Sequence, residues 1–103
     1  MRLLVFFDLP VVRAVDRRNY TRFRQFLLKD GFDMIQFSVY CRVCNGMDNI
    51  DRHILRLQGS LPPRGSVRAM VVTEKQYSKM KLMVGTATVR EHLHDRPEQL
   101  LLL

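Results

Sequence analysis

The run Leu3-Leu4-Val5-Phe6-Phe7 ends on Asp8, and Pro10 follows two residues later. Five consecutive apolar residues leave no polar face for solvent. A strand of this kind belongs in the interior of a sheet, covered on both sides. Asp8 then stands where the strand leaves the core. A carboxylate at such a lip is poorly hydrated and calls for a cation, a metal or hydrogen-bond donors. The alternative is a strand-ending Asp that starts a turn before Pro10.

The rest of the chain reads as alternating elements. After a loop through Pro10 to Val15, Tyr20, Phe23, Phe26 and Leu27 recur at helical spacing and predict a helix over 16–30. Asp16 is the expected N-cap and Gly31 the expected stop. A strand over 32–43 follows, with Ile35, Phe37 and Val39 on one face and Met34, Gln36, Ser38 and Tyr40 on the other. Asn45-Gly46 breaks it, and Ile50, Ile54 and Leu57 form the stripe of a helix over 47–58. Pro62, Pro63 and Gly65 make a loop. A strand over 66–72 sets Val67, Ala69 and Val71 opposite Arg68, Met70 and Val72. Thr73 to Gln76 has capping-box spacing and predicts a short helical turn. A further strand is expected over 79–84, ending at Gly85, and a small terminal one at Leu100 to Leu103.

The elements so read run strand, helix, strand, helix, strand, strand, and with both long helices on one sheet face they make an α/β sandwich of the general ferredoxin-like type, which in its full form is βαββαβ. The other sheet face is left without a cover. It is too apolar to stand in water, because the first strand is apolar on both faces and Met70 and Val72 add to it. An apolar face with no layer over it needs a partner. A symmetric homodimer through that face is the simplest arrangement.

The 103 residues suffice for one modest core. Residues 1–85 carry 15 Lys and Arg against 7 Asp and Glu, a balance of +8; residues 86–103 carry 2 against 3, or −1. The positive charge therefore belongs to the folded body. Thirteen of the 17 basic residues are Arg, whose forked guanidinium suits phosphate. A nucleic acid is expected ahead of a membrane surface. No apolar run approaches the roughly 18–20 residues that span a bilayer. Nor does the N-terminus read as a signal peptide, so a cytoplasmic location with reduced thiols is expected.

The basic residues concentrate on the first helix. Arg18 and Arg22 lie one turn apart with Lys29 two turns further along the same side, Arg17 and Arg24 share a neighbouring stripe, and Arg13 extends the patch into the preceding loop. Such a stripe can follow one strand of a duplex by phosphate contacts with little sequence preference. A solvated helix face is the plain alternative, but only Asp16 and Asp30 offset these charges. Arg64 and Arg68 are weaker candidates.

Four segments carry a resemblance to a known family: VFFDLP at 5–10, RRNYTRFRQFLLKDGF at 17–32, MIQFSVYCRVCNG at 34–46 and VVTEKQYSKMKLMVG at 71–85. Together they resemble the small protein of CRISPR spacer acquisition, partner of the CRISPR integrase, in the versions found beside single-protein RNA-guided nucleases. The resemblance covers about 1–85, which is expected to be the ferredoxin-like domain. The segment 86–103 matches nothing in it and is expected to contact the partner protomer or the integrase.

The resemblance implies the ferredoxin-like α+β fold, βαββαβ with an antiparallel sheet, which differs from the element order read above in its second half, and a homodimer with sheets packed face to face. It implies a scaffold that holds the prespacer DNA duplex between two integrase dimers, and a metal-dependent endonuclease activity on RNA or duplex DNA. The carboxylate that ends the first strand, here Asp8, is implied as the metal ligand and catalytic residue. Two copies would approach across the dimer axis and share Mg²⁺ or another divalent ion such as Mn²⁺, which relieves their repulsion. Gln36, Ser38 and Tyr40 are implied to lie in the dimer interface near Asp8.

Two rival functions fit the same composition: a free-standing, toxin-like metal-dependent endoribonuclease, and a non-catalytic RNA-binding module with Tyr40 as its stacking platform. Ser38 is not expected to be a nucleophile, since no His is placed to activate it. Cys41 and Cys44 form a CxxC that could be joined by His53, or by His92 and His94 to reach four zinc ligands on paper, but the spacing is not that of a finger. In a strand the two cysteines would face opposite ways, as small buried hydrophobes.

Overall fold

A computed structural model of the chain describes residues 1–85. The elements are β1 Arg2–Asp8, α1 Ala14–Lys29, β2 Asp33–Gln36, β3 Val39–Val43, α2 Met47–Gln58, β4 Ser66–Val72 and α3 Glu74–Ser78. The four strands form one antiparallel sheet in the order β2-β3-β1-β4. This is the ferredoxin-like arrangement that the resemblance implies, with a short third helix appended, and it corrects the element order read from periodicity: two strands stand where one was expected over 32–43, and β4 is the last strand among the described residues.

The apolar run of β1 explains its central place. Leu3, Val5 and Phe7 face the long helices and pack with Phe23, Leu27, Phe32, Ile50 and Leu57. Leu4 and Phe6 point the other way, with Cys41 and Tyr77. Each fully buried side chain of this size contributes about 1.5–3 kcal/mol. Gly31 stops α1 in the left-handed region at φ 88°, as expected.

The sequence predicts one long strand over 32–43, and the structure divides it. The chain reverses at Phe37-Ser38, with Ser38 at φ 64°, and a bulge lies between Met34 and Gln36. No Gly, Asn or Pro marks this turn, so a period of two runs through it unbroken. The reversal overturns the expected faces. Tyr40 is 1% exposed and lies under the helices, against Phe7, rather than on the opposite face. It cannot serve as a stacking platform or line a contact on the far face. Ser38 is a turn residue whose carbonyl accepts the Phe7 amide at 3.1 Å. Gln36 stands across from Val39 and keeps to the open face.

Two further expectations fail. Asp16 is not the N-cap of α1; Arg13 holds that position, and Asp16 is buried in the first turn. Residues 79–85 form no strand, because no edge pairs with them among the described residues. Met80, Leu82, Met83 and Val84 stay exposed there. The terminal strand expected at Leu100 to Leu103 lies outside the described residues.

Instead of a strand, α3 covers part of the second sheet face. Its capping box between Thr73 and Gln76 forms as predicted. Tyr77 packs on Leu4 and Cys41, and the Arg2 guanidinium lies 3.7 Å from the Tyr77 ring centre. Arg2 Nε donates to both Glu74 oxygens, at 3.0 and 3.1 Å. Burial works against the Arg2 charge, but Glu74 holds its pKa above the usual value. The face is thus closed at its Arg2 end and open toward Asp8. Among the described residues no helix is long and apolar enough to cross a membrane.

Candidate nucleic-acid interface and carboxylate site

Asp8 ends β1 opposite Ser66 of β4. By strand alternation it lies on the open face with Leu4 and Phe6. Its side chain is exposed, and among the described residues it makes no hydrogen bond or ion pair. The expectation of a poorly hydrated lip fails, because Asp8 points to the uncovered sheet face while its neighbours Phe7 and Leu9 are buried in the core on the helix side. Arg68 shares this face, across from Phe6.

Gly65 sets the loop behind Asp8. It sits at φ 103°, and a Cβ there would meet the Asp8 carbonyl oxygen and Leu9 Cδ2, each at 2.7 Å. Only glycine lets the 62–65 loop come this close. The Pro-Pro-x-Gly sequence signalled the turn but not what it packs against.

Among the described residues no three His, Cys, Asp or Glu side chains converge on one point. The donor set at Asp8 is a single carboxylate. That suits Mg²⁺ or Mn²⁺, which take one or two carboxylates and complete their shell with water and substrate phosphate.

The six basic residues predicted to bind nucleic acid separate into two groups. Arg13 is committed, donating from Nε and Nη2 to the Asp16 oxygens at 2.9 and 3.1 Å, while Arg64 Nη1 reaches the same carboxylate at 3.2 and 3.3 Å. The bonds from Arg13 hold the Asp16 carboxyl below the usual range, against the opposing effect of burial. Arg17 is partly committed: its Nη1 donates to the carbonyls of Val11 and Val12 at 3.1 and 2.7 Å, fixing the loop after Asp8. Arg18, Arg22, Arg24 and Lys29 are exposed and have no partner among the described residues. Arg18, Arg22 and Lys29 fall on the side of α1 opposite buried Phe23 and Leu27.

His53 is not a metal-site candidate. Its Nε2 accepts from Arg42 Nε at 2.8 Å, and its Nδ1 lies 2.7 Å from Asp30 Oδ2. A guanidinium only donates, so the ring proton sits on Nδ1 and points at Asp30. Arg56 holds the other Asp30 oxygen at 2.7 Å. This buried network ties the end of α1 to β3 and α2. Cys41 packs on the open face and Cys44 on the helix face, and they form no disulfide. Burial pushes the Cys44 thiol up.

Comparison with known proteins fits this geometry. The family described as CRISPR associated protein Cas2 matches residues 1–80. A CRISPR-associated endoribonuclease Cas2 of Acidovorax ebreus is 60% identical over 91 residues, spanning 88% of this chain and 89% of its own length. One from Lacticaseibacillus rhamnosus is 50% identical over 86 residues, 84% of this chain and 85% of its own. The crystal structure of Streptococcus pyogenes Cas2 superposes with a TM-score of 0.61 at 17% identity, covering 82% of this chain and all of that one, a likeness of fold.

Proposed function

The chain belongs to the CRISPR-associated Cas2 family, and on that premise we propose that it is a homodimeric scaffold of CRISPR adaptation that holds the prespacer duplex between integrase dimers. The observation that carries this reading is the outer side of α1, where Arg18, Arg22 and Lys29, with Arg24 on the neighbouring stripe, have no partner among the described residues. Cations used by the fold, such as Arg13 and Arg64, are instead engaged within it, sharing the Asp16 carboxylate. Unpaired cations along one helix suit a phosphate backbone read without regard to sequence.

The open end of the sheet supports the dimer. Phe6, Ile35 and Val39 are only half buried there, Met70 is exposed, and the exposed apolar residues at 80–84 add surface for a second copy. Gln36 lies on that face and is the one of the three predicted contacts suited to it. The integrase contact is assigned to 86–103, which lie outside the described residues. The protein acts in the cytoplasm.

A second reading, nuclease activity, is favoured by Asp8. A carboxylate at the end of a central strand with no partner among the described residues is available for chemistry, and the relatives are named endoribonucleases. Asp8 from each protomer would hold Mg²⁺ or Mn²⁺. Such an ion, when bound, activates water and stabilises charge on a phosphate. The chain's own residues orient the site: Gly65 fixes the backbone of Asp8, and Arg17 fixes the loop that follows.

Spacer acquisition in cells tests both readings. Charge reversal at Arg18 and Arg22 should abolish acquisition while the dimer survives. Loss of acquisition in Asp8→Ala with an intact dimer would make cleavage part of the role, and full acquisition would leave a scaffold alone. Wild-type acquisition by the charge-reversed protein would sink the scaffold reading.

A further inference from the structure

Phe37 has no place in the functions described so far, and its setting is unusual. It occupies the tip of the β2–β3 hairpin and is 78% exposed. One face of its ring is backed by Tyr20 of α1, with centroids 6.3 Å apart and planes at 24°. Tyr20 meets Phe7 at 6.0 Å and 64°, and Phe7 stacks on Tyr40 at 5.6 Å. A row of rings therefore runs from the core to the surface and ends in a nearly bare phenyl face. The packing fixes the platform from behind and leaves its front in water, where a Phe surface is costly.

The turns of α1 on either side of Tyr20 carry cations. Arg24 stands one turn beyond Tyr20 and Arg17 three residues before it, both exposed on α1. Arg17 uses one nitrogen, Nη1, on the Val11 and Val12 carbonyls. Of the acids at this end, Asp16 is already bound by Arg13 and Arg64, which leaves Asp8. The Ser38 carbonyl accepts the Phe7 amide, so the hairpin tip adjoins the strand end that carries Asp8.

We propose that Phe37, backed by Tyr20, is a stacking platform for an unpaired nucleobase, with Arg17 and Arg24 holding the adjoining phosphates. Every base has a flat face, so such a platform grips a single strand without reading sequence. A base inside a duplex is stacked on its neighbours and cannot use it. The site therefore takes a frayed end or an overhang of a duplex carried along α1, or a free single strand, of DNA or RNA. The inference rests on the nucleic-acid reading above and adds a contact for the unpaired part of the ligand.

The chain contains no tryptophan, so Phe37→Trp introduces a unique fluorophore at the platform. Oligothymidylate and oligouridylate of about ten nucleotides serve as probes. Saturable quenching of the new tryptophan by either is expected, and the tighter of the two assigns the sugar. Phe37→Leu keeps an apolar side chain but removes the ring. It should weaken single-strand binding at least about fivefold, the lower range for losing one base–aromatic stack, with duplex affinity and oligomeric mass unchanged. Unquenched tryptophan, wild-type single-strand affinity in Phe37→Leu, or a changed oligomeric mass in that variant would overturn the proposal. Duplex affinity of the wild type, measured in parallel, reports on the α1 reading by itself.

Discussion

Arg2 and Asp8 stand at the two ends of one strand and on the same side of the sheet, yet their surroundings are opposite. Arg2 is buried between Glu74, which takes its Nε, and the Tyr77 ring, which lies under its guanidinium. Asp8 is exposed and has no such partner among the described residues. The same contrast recurs on the other side of the sheet. Asp16 and Asp30 are buried and each is held by two cationic or hydrogen-bonding neighbours, whereas the outer side of α1 carries cations with none among the described residues. Charges that serve the fold are neutralised within it. On the reading proposed above, the cations of outer α1 and the Asp8 carboxylate, which the fold does not use, are the ones that meet a ligand.

Removing the cover from the Arg2 end should have the largest effect on stability. Tyr77→Ala opens a cavity under α3 and leaves Arg2 without its ring, at a cost of about 3–5 kcal/mol in urea unfolding. A loss below about 1 kcal/mol would mean that α3 is not a structural lid. Next comes the loop behind Asp8. Gly65→Ala forces a Cβ against the Asp8 carbonyl at a φ that L residues avoid, and should cost about 1–3 kcal/mol.

The contrast between satisfied and unsatisfied carboxylates has a pH signature. The Asp16 carboxyl is held low in the folded protein. Its ion pairs therefore stabilise above the ordinary carboxylate range, and that contribution is lost as pH falls through the folded-state value. Thermal melts of Asp16→Asn should lie below wild type at neutral pH and converge with it in acid. A constant gap across the range would assign the Asp16 effect to packing. The smallest stability effect belongs to Asp8→Ala, which should unfold within about 0.5 kcal/mol of wild type because its side chain supports nothing in the fold.

How much of this was legible in the sequence follows from what each residue depends on. β1, α2 and β4 were plain because apolar period and Gly or Pro punctuation set their limits, and Met47–Gln58 and Ser66–Val72 match the predicted ranges. The turn at Phe37-Ser38 was hidden because Ser38 takes a positive φ without the usual Gly or Asn. Missing it sent Tyr40 to the wrong face and concealed Phe37 as a surface ring. Asp16 read as a cap because one of its partners, Arg64, lies 48 residues away in sequence. The alternation at 79–84 read as a strand because period alone does not say whether an edge is there to pair with. The cations of α1 were legible as a stripe. What separated Arg13 from Arg18 was the tertiary position of Asp16.

The central claim is that the unpartnered cations of α1 hold a phosphate backbone. Salt dependence of duplex DNA binding tests it most directly, because the log–log slope counts the cations that displace counterions, about 0.9 for each contact. Alanine at Arg18, Arg22 and Lys29 together should lower the slope by roughly three times that amount. The same change at Arg64, which is committed to Asp16, should leave it nearly unaltered. An unchanged slope in the triple variant would contradict the account and move the nucleic-acid contact off α1.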